Sequence, residues 1–218
     1  MPGLVCYVVK VNLPAGITIP NDFTLKQRPI GEYISKPLLP TPFDLTFDRS
    51  NIGKFPGADG GQTSLEMLQS SLTGILAGRS VTNSIALLLT GRMAFAPDAV
   101  GHMFDETGYP GMSPRRGLAL SLTNLAIQAG DDLSDPDARD YIGYTLIHEF
   151  GHLLNLWHLQ GSDSFMNPNL DVGHLPAATF DKEQLQYLRL MADAKSARYV
   201  LPGGSALGER PYPWQQGD

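Results

Sequence analysis

The alternation of apolar and polar residues along the chain first predicts a set of strands. Residues 4–13 and 43–48 alternate with the two-residue period of a strand that has one covered face. Residues 84–90 (SIALLLT) form a continuous apolar run, which is typical of a strand covered on both faces. Residues 117–127 (GLALSLTNLAI) alternate again, and they predict a strand with one exposed face or a free edge.

A first helix is predicted from its capping residues. Thr63 stands as the N-cap, and Glu66 at the third helical position completes a capping box. The helix ends near Gly78, because glycine readily adopts the left-handed conformation that closes a helix. Its apolar face is formed by Leu65, Leu68, Leu72, Ile75 and Leu76.

Two more helices are predicted in the second half of the chain. One starts with Asp135 as its cap, or Ser134 one place earlier, has Pro136 in its first turn and runs to about Leu154. A final helix begins near Asp181. Its apolar face carries Leu185, Leu188 and Met191.

Length and composition favour one domain. The 218 residues are 42% hydrophobic, which is enough to bury a sizeable core. We predict a single domain over residues 1–201, with an irregular, proline-punctuated arm at 14–42 laid over it. The Gly-, Pro- and Met-rich residues 91–116 are predicted to be loops, and residues 202–218 form a Pro/Gly-rich C-terminal tail.

The charge pattern argues against nucleic acid and membranes as partners. The formal net charge is −6, and no block of lysine and arginine occurs. No apolar run approaches the roughly 20 residues that span a bilayer, and no leader segment is visible. These features favour a cytoplasmic protein or a mature secreted domain, and they leave the oligomeric state open. The single cysteine, Cys6, is predicted to be a buried strand thiol.

The candidate chemistry lies in residues 148–158, which read HEFGHLLNLWH. His148 and His152 are four residues apart, so on a helix they project from the same face one turn apart. Two imidazoles placed in this way can bind one metal ion at about 2.0 to 2.1 Å. Glu149 lies about 100° around the helix, where it can hold a water without binding the metal.

A catalytic zinc site normally has three protein ligands, so a third is needed. His158 reaches the same ion only if the chain turns after Leu154, and Asn155 can adopt the left-handed conformation that such a turn requires. Glu183 or Asp163 could take the third place instead. His102 and His174 are interpreted as ordinary histidines rather than ligands. The full spacing is expected by chance on the order of once in 10⁴ such chains, which disfavours a helix with incidental histidines.

This segment resembles the extended zinc-binding consensus of the metzincin metalloproteases, H-E-x-x-H-x-x-G-x-x-H, with Asn155 where that family has glycine. Residues 164–168 (SFMNP) resemble its Met-turn, in which Met166 would lie beneath the metal. The spacing of Met166 from His158 is most like that of the matrixin branch. The firm resemblance covers residues 141–191.

The resemblance implies a fold, a cofactor and an activity. The fold is an α+β, zincin-like domain, a twisted mixed sheet with an active-site helix and a C-terminal helix. The cofactor is one catalytic Zn²⁺ held by His148, His152 and His158. The activity is that of a zinc metalloendopeptidase, a hydrolase in which Glu149 is the general base for cleavage of a peptide or protein substrate.

Substrate contacts and the departures from the family also follow from the resemblance. The substrate would pair with an edge strand at Gly117, Leu118, Ala119 and Leu120, and Asn167 and Pro168 would line the pocket for the residue after the scissile bond. Pro168 stands where some relatives have a metal-binding tyrosine, so no further protein ligand is expected there. A second, structural zinc and a cysteine switch are not expected.

Two alternatives stay open. The domain could be a catalytically silent or toxin-like zincin module that acts as a protein-binding scaffold. Calcium binding is possible but not predicted, because capping of the adjacent helix also explains the acidic group Asp131, Asp132, Asp135 and Asp137.

Overall fold

The computed structural model describes residues 4–38, 44–55, 61–80, 84–105, 115–130, 132–154, 156, 158–160, 163–169 and 179–186. The strands are β1 (Leu4–Val11), β2 (Thr24–Leu25), β3 (Arg28–Pro29), β4 (Leu45–Asp48), β5 (Ser84–Thr90), β6 (Gly101–Asp105) and β7 (Arg115–Ser121). The helices are α1 (Gly31–Leu38), α2 (Leu65–Leu76), α3 (Leu122–Ala129) and α4 (Pro136–Leu153). Residues 182–186 are also helical.

A five-stranded, mostly parallel sheet organises the fold, in the order β4-β1-β5-β7-β6. Strand β1 pairs in parallel with β4 and β5, and β5 pairs in parallel with β7. Strand β6 is antiparallel to β7 and forms one edge of the sheet. The central strand β5 is buried along its whole length, which confirms the interpretation of residues 84–90.

Helices cover both faces of this sheet. Leu87 and Leu89 of β5 face the core shared with α1, α3 and α4, whereas Ala86 and Leu88 face the core shared with α2. The alternation follows from the two-residue period of a strand, which sends successive side chains to opposite faces. Cys6 lies in the first core with no exposed surface, as predicted, and burial raises the pKa of its thiol.

The prediction of a strand over residues 117–127 is wrong in two respects: its second half is helical, and the strand does not lie at an edge of the sheet. The strand ends at Ser121, whose side chain caps α3 by accepting a hydrogen bond from the Asn124 N–H at 3.3 Å. Residues 122–127 are therefore helical, because the apolar spacing of Leu122 and Leu125 also suits a helix face once a serine caps it. Strand β7 pairs with β5 on one side and β6 on the other, so it is not an edge.

The edge strand itself lies in a region predicted to be loops. Residues Gly101–Asp105 form β6 within the 91–116 segment. The segment GHMFD has no run of β-branched residues, and it begins with a glycine, so its own sequence favours a strand only weakly. Pairing with β7 supplies the backbone partners that make it one.

The 14–42 arm is not irregular throughout. It contains the β2–β3 hairpin and α1, and Leu25, Ile30 and Ile34 have no exposed surface. Gly143 on α4 lets this segment approach closely, since a Cβ atom there would overlap the carbonyl oxygen of Thr24. The arm is therefore part of the main core.

Helix caps agree with the sequence to within one residue. Ser64, rather than Thr63, caps α2 by accepting a hydrogen bond from the Met67 N–H at 3.2 Å. Thr63 is buried instead, with its hydroxyl against that of Thr90. Asp135 caps α4 as predicted, accepting from the Asp137 N–H at 2.8 Å.

The start of the final helix is also as predicted. Asp181 accepts a hydrogen bond from the Glu183 N–H at 2.7 Å, which is a capping contact. Leu188 and Met191 lie outside the described residues, as does the 202–218 tail. None of the helices in the described part of the chain has the length and apolar character needed to cross a membrane.

Candidate metal centre

Helix α4 presents two histidines from its buried C-terminal half. Every residue from 141 to 151 is buried, because the helix lies between the sheet and other segments that include the β2–β3 hairpin. His148 and His152 lie one turn apart on it, with ring centroids 4.7 Å apart. The N-terminal cap and the packing of α4 fix where these two rings project.

The chain reverses direction directly after α4. The Leu154 N–H donates to the Phe150 carbonyl at 3.1 Å, and the Leu156 N–H donates back to the Gly151 carbonyl at 2.9 Å. The second bond spans six residues and matches the longer bond of a Schellman motif, which closes a helix and redirects the chain. Asn155, the predicted turn residue, lies outside the described residues.

This reversal brings His158 to the two helical histidines. The Nε2 atoms of His148, His152 and His158 form a triangle with sides of 3.0, 3.1 and 3.2 Å. A tetrahedral zinc ion with bonds of about 2.0 to 2.1 Å needs nitrogen atoms about 3.3 to 3.4 Å apart. The triangle is slightly smaller than this, so small rotations of the three rings would bring them to the separation that one such ion needs.

Hydrogen bonds at the far side of two rings fix their tautomers. His148 Nδ1 lies 2.6 Å from the Phe165 carbonyl, and His152 Nδ1 lies 3.0 Å from the Leu156 carbonyl. Because a carbonyl oxygen only accepts, each Nδ1 carries the proton, and each Nε2 points a lone pair into the triangle. Such backbone partners are typical of metal-binding histidines.

The electrostatics of the triangle favour a cation. Burial lowers the pKa of His148 to about 4, with a smaller raising effect from its bond to Phe165 and a lowering effect from His158. The ring is therefore neutral near pH 7. Nitrogen lone pairs about 3 Å apart repel one another unless a positive ion lies between them, so the donor set fits Zn²⁺.

Glu149 lies beside the histidines and against the edge strand β6. It is only 6% exposed, and a Cβ atom at Gly101 would come within 2.5 Å of its Oε1. Burial raises the pKa of this carboxyl group to about 8, and a hydrogen bond from the backbone of Met103 opposes the rise. A divalent cation nearby would favour the ionised form.

A tight turn at residues 164–167 packs against helix α4 beside His148. The Asn167 N–H donates to the Ser164 carbonyl at 3.0 Å, and the Leu159 N–H donates to the Met166 carbonyl at 2.8 Å. Met166 is fully buried, and its sulfur packs so closely on α4 that a Cβ atom at Gly151 would overlap it. Asn167 and Pro168 follow and are half-buried.

The predicted substrate-binding strand lies elsewhere. Gly117, Leu118, Ala119 and Leu120 belong to β7, where they are buried and paired on both sides. Their backbone groups are committed to β5 and β6, so they cannot take an added strand. In the described part of the chain, the edge strand next to Glu149 is β6, at Gly101–Asp105.

The other candidate ligands stay apart from the histidines. Among the described residues, the three histidines are the one group of three or more possible ligands, and Asp163 and Glu183 are exposed outside it. His102 faces the opposite side of the sheet, where its ring packs on Phe95 at 5.0 Å. His174 lies outside the described residues.

The acidic group at the start of α4 makes local capping contacts. Asp132 accepts hydrogen bonds from the N–H and hydroxyl of Ser134 at 2.8 and 2.6 Å. Asp135 caps α4, and Asp131 lies outside the described residues.

Three residues at the site were missed from the sequence. Gly151 allows the close approach of Met166, and Gly101 allows that of Glu149. Tyr144 forms a hydrogen bond to the 164–167 turn. A glycine inside a helix costs about 1 kcal/mol relative to alanine, so Gly151 was a readable signal of close packing. Gly101 and Tyr144 had no comparable signal.

The comparisons with known proteins bear on the fold. No protein-family model matches the chain, and no curated protein matches its sequence significantly. A crystal structure of a zinc-dependent peptidase from Methanocorpusculum labreanum superposes with a TM-score of 0.53 and 18% sequence identity. The chain shares the fold of this Methanocorpusculum structure. The alignment covers 86% of this chain and all of the Methanocorpusculum peptidase, and at this identity the likeness is one of fold.

Proposed function

We propose that the protein is a zinc-dependent endopeptidase of the metzincin type. The observation that carries the proposal is the convergence of three Nε2 atoms, two of them held as lone-pair donors by backbone carbonyls, beside a buried glutamate. The fold shared with the Methanocorpusculum peptidase supports it. The resemblance of residues 148–158 and 164–168 to the metzincin consensus and Met-turn supports the finer assignment.

Each side chain then has a role. His148, His152 and His158 would hold the ion through their Nε2 atoms. When bound, zinc supplies a Lewis acid that polarises the scissile carbonyl group and makes water at the site more acidic. Met166 packs on Gly151, which precedes His152 on α4, and so supports this part of the helix.

Glu149 moves the proton. Its carboxylate accepts a proton from the attacking water, whose oxygen forms a bond to the carbonyl carbon. The same carboxyl group then delivers that proton to the amide nitrogen as the C–N bond breaks. The products are a carboxylic acid and an amine, and Glu149 returns to its ionised form.

The substrate is an extended peptide that pairs with the outer edge of β6. Strand addition at a sheet edge supplies main-chain hydrogen bonds without demanding a particular sequence. Glu149 packs on Gly101 of this strand, so a peptide paired there would lie next to the base. Asn167 and Pro168, which follow the buried Met166, line the pocket for the residue after the scissile bond.

Metal analysis paired with a cleavage assay tests the proposal. Purified protein should contain one zinc per chain and should cleave a quenched peptide library, and a zinc chelator should abolish cleavage that zinc then restores. One zinc without cleavage of any peptide would favour a silent scaffold. Failure to bind zinc after reconstitution would overturn the proposal.

A further inference from the structure

Tyr144 bonds the 164–167 turn to helix α4. It lies one helical turn before His148, and it has no exposed surface. Its hydroxyl donates to the Ser164 carbonyl at 2.7 Å. Burial and the nearby charge of Asp163 raise the pKa of this phenol, so the hydroxyl keeps its proton and remains a donor.

The neighbouring carbonyl of the same turn holds a histidine. His148 Nδ1 donates to the Phe165 carbonyl at 2.6 Å, so consecutive carbonyls of the turn bond to residues one turn apart on α4. The Phe165 carbonyl can accept the hydrogen bond from His148 only if the turn keeps a fixed position along α4. The Tyr144 bond supplies that restraint.

Other contacts also hold the turn, and the packing of Met166 on Gly151 joins it to α4 without a hydrogen bond. The Phe165 N–H donates to the Thr179 carbonyl at 2.8 Å, and the Met166 N–H donates to the Ser164 hydroxyl at 3.1 Å. The Phe165 ring packs on Tyr144 and Phe180 with centroids 5.2 and 5.1 Å away. Removing the Tyr144 hydroxyl alone leaves all of these contacts possible.

We propose that Tyr144 is a positioning residue of the metal centre: its hydroxyl fixes the Phe165 carbonyl and, through it, the His148 ring. The inference rests on the proposed function insofar as His148 binds zinc. Loss of a group that hydrogen-bonds directly to a metal-binding histidine typically changes metal affinity by about 10- to 100-fold. Tyr144 acts one step further out, so we expect an effect of about tenfold.

The test compares Tyr144→Phe with Tyr141→Phe. Tyr141 lies on the same helix, is 1% exposed and donates its hydroxyl to the side chain of Gln128, which belongs to α3. Each variant removes one buried hydroxyl and keeps the ring. The measurements are zinc affinity by competition with a chromogenic chelator, the visible spectrum of the cobalt-substituted protein, and thermal unfolding without metal.

Tyr144→Phe should weaken zinc binding about tenfold and change the cobalt spectrum, because the His148 ring is less constrained. Tyr141→Phe should leave both within about twofold, even where it lowers the unfolding temperature equally. Ser164→Ala, which removes the hydroxyl that accepts from Met166, should weaken zinc binding in the same direction. It also provides a second route if Tyr144→Phe does not fold.

Equal zinc affinities and identical cobalt spectra in the Tyr144→Phe and Tyr141→Phe proteins would overturn the inference. Zinc binding without peptide cleavage in the wild-type protein would count against the proposed endopeptidase alone, since the affinities would still decide the role of Tyr144. A wild-type protein that binds no zinc would overturn both.

Discussion

At the scale of the residue, the site depends on how close neighbouring groups come to one another. Glu149 lies directly on the Cα atom of Gly101, and Met166 lies directly on that of Gly151. In each pair, the larger group occupies the space that a side chain at the glycine position would need. Changes of a single atom are therefore expected to separate metal binding from catalysis.

Replacing Glu149 by glutamine should remove the base and keep the metal. The amide has nearly the same shape but cannot accept the proton from water, so peptide cleavage should fall by about 10²- to 10⁴-fold. Zinc content measured by elemental analysis should stay at that of the wild type. Cleavage at the wild-type rate by the zinc-loaded Glu149→Gln protein would refute the general-base role.

Gly101→Ala should have a similar but indirect effect. The added methyl group would come within 2.5 Å of Glu149 Oε1, so the carboxyl group must move. We expect cleavage to fall at least about tenfold while zinc affinity changes little, because the three atoms nearest the added methyl group all belong to Glu149. Gly53→Ala is the matched control, since a Cβ atom there meets nothing within 4 Å. Equal activity of the two variants would contradict the assignment.

At the scale of the element, α4 connects the arm, the sheet and the metal centre. Its residue Gly143 faces the β2–β3 hairpin, and its C-terminal turn carries the histidines. The hairpin adds a hydrogen bond from the Lys26 N–H to the Asp140 side chain at 2.6 Å. The position of α4 is therefore decided partly by a segment more than 100 residues away in the chain.

Gly143→Ala should destabilise the protein, opposite to the usual effect in helices. Glycine to alanine inside a helix normally gains about 1 kcal/mol from helix propensity. Here the methyl group overlaps the Thr24 carbonyl, and overpacking against backbone typically costs about 1 to 3 kcal/mol. Urea unfolding of the metal-free protein measures the difference. A midpoint at or above that of the wild type would show that the hairpin moves without cost.

At the scale of the whole molecule, metal binding should be linked to folding. The three histidines converge only in the folded chain, because His158 reaches the others through a turn and His148 is oriented by the 164–167 segment. An ion that binds the folded chain and not the unfolded one stabilises the fold by mass action. The unfolding temperature should therefore depend on zinc.

Free zinc at 100 times its dissociation constant should stabilise the fold by about 2.7 kcal/mol, and so raise the unfolding temperature by about 5 to 10 °C. Calorimetry of the chelated and reconstituted protein measures this shift. His158→Ala should lose most of it. His102→Ala, which removes a histidine that packs on Phe95 on the other face of the sheet, should keep it. An equal shift in both variants would contradict the assignment of His158 as a ligand.

What could be predicted from the sequence is what local geometry determines. The spacing of His148 and His152 places them on one helix face, because the helix repeat is the same in every protein. Asp135 and Pro136 mark the start of that helix, and the apolar run at 84–90 marks a doubly covered strand. Each of these depends on residues that are near one another in the chain.

Only the tertiary structure decided which strand is the edge and what surrounds the histidines. The alternation in 117–122 is the same whether a strand has one neighbour or two, so β7 was mistaken for the edge that β6 forms. The Phe165 carbonyl that orients His148 and the hairpin that packs on Gly143 come from distant segments. Strand partners and buried contacts depend on how such segments pack together. A periodic pattern of apolar residues indicates which face of a strand or helix is buried, but it does not indicate which segment covers that face.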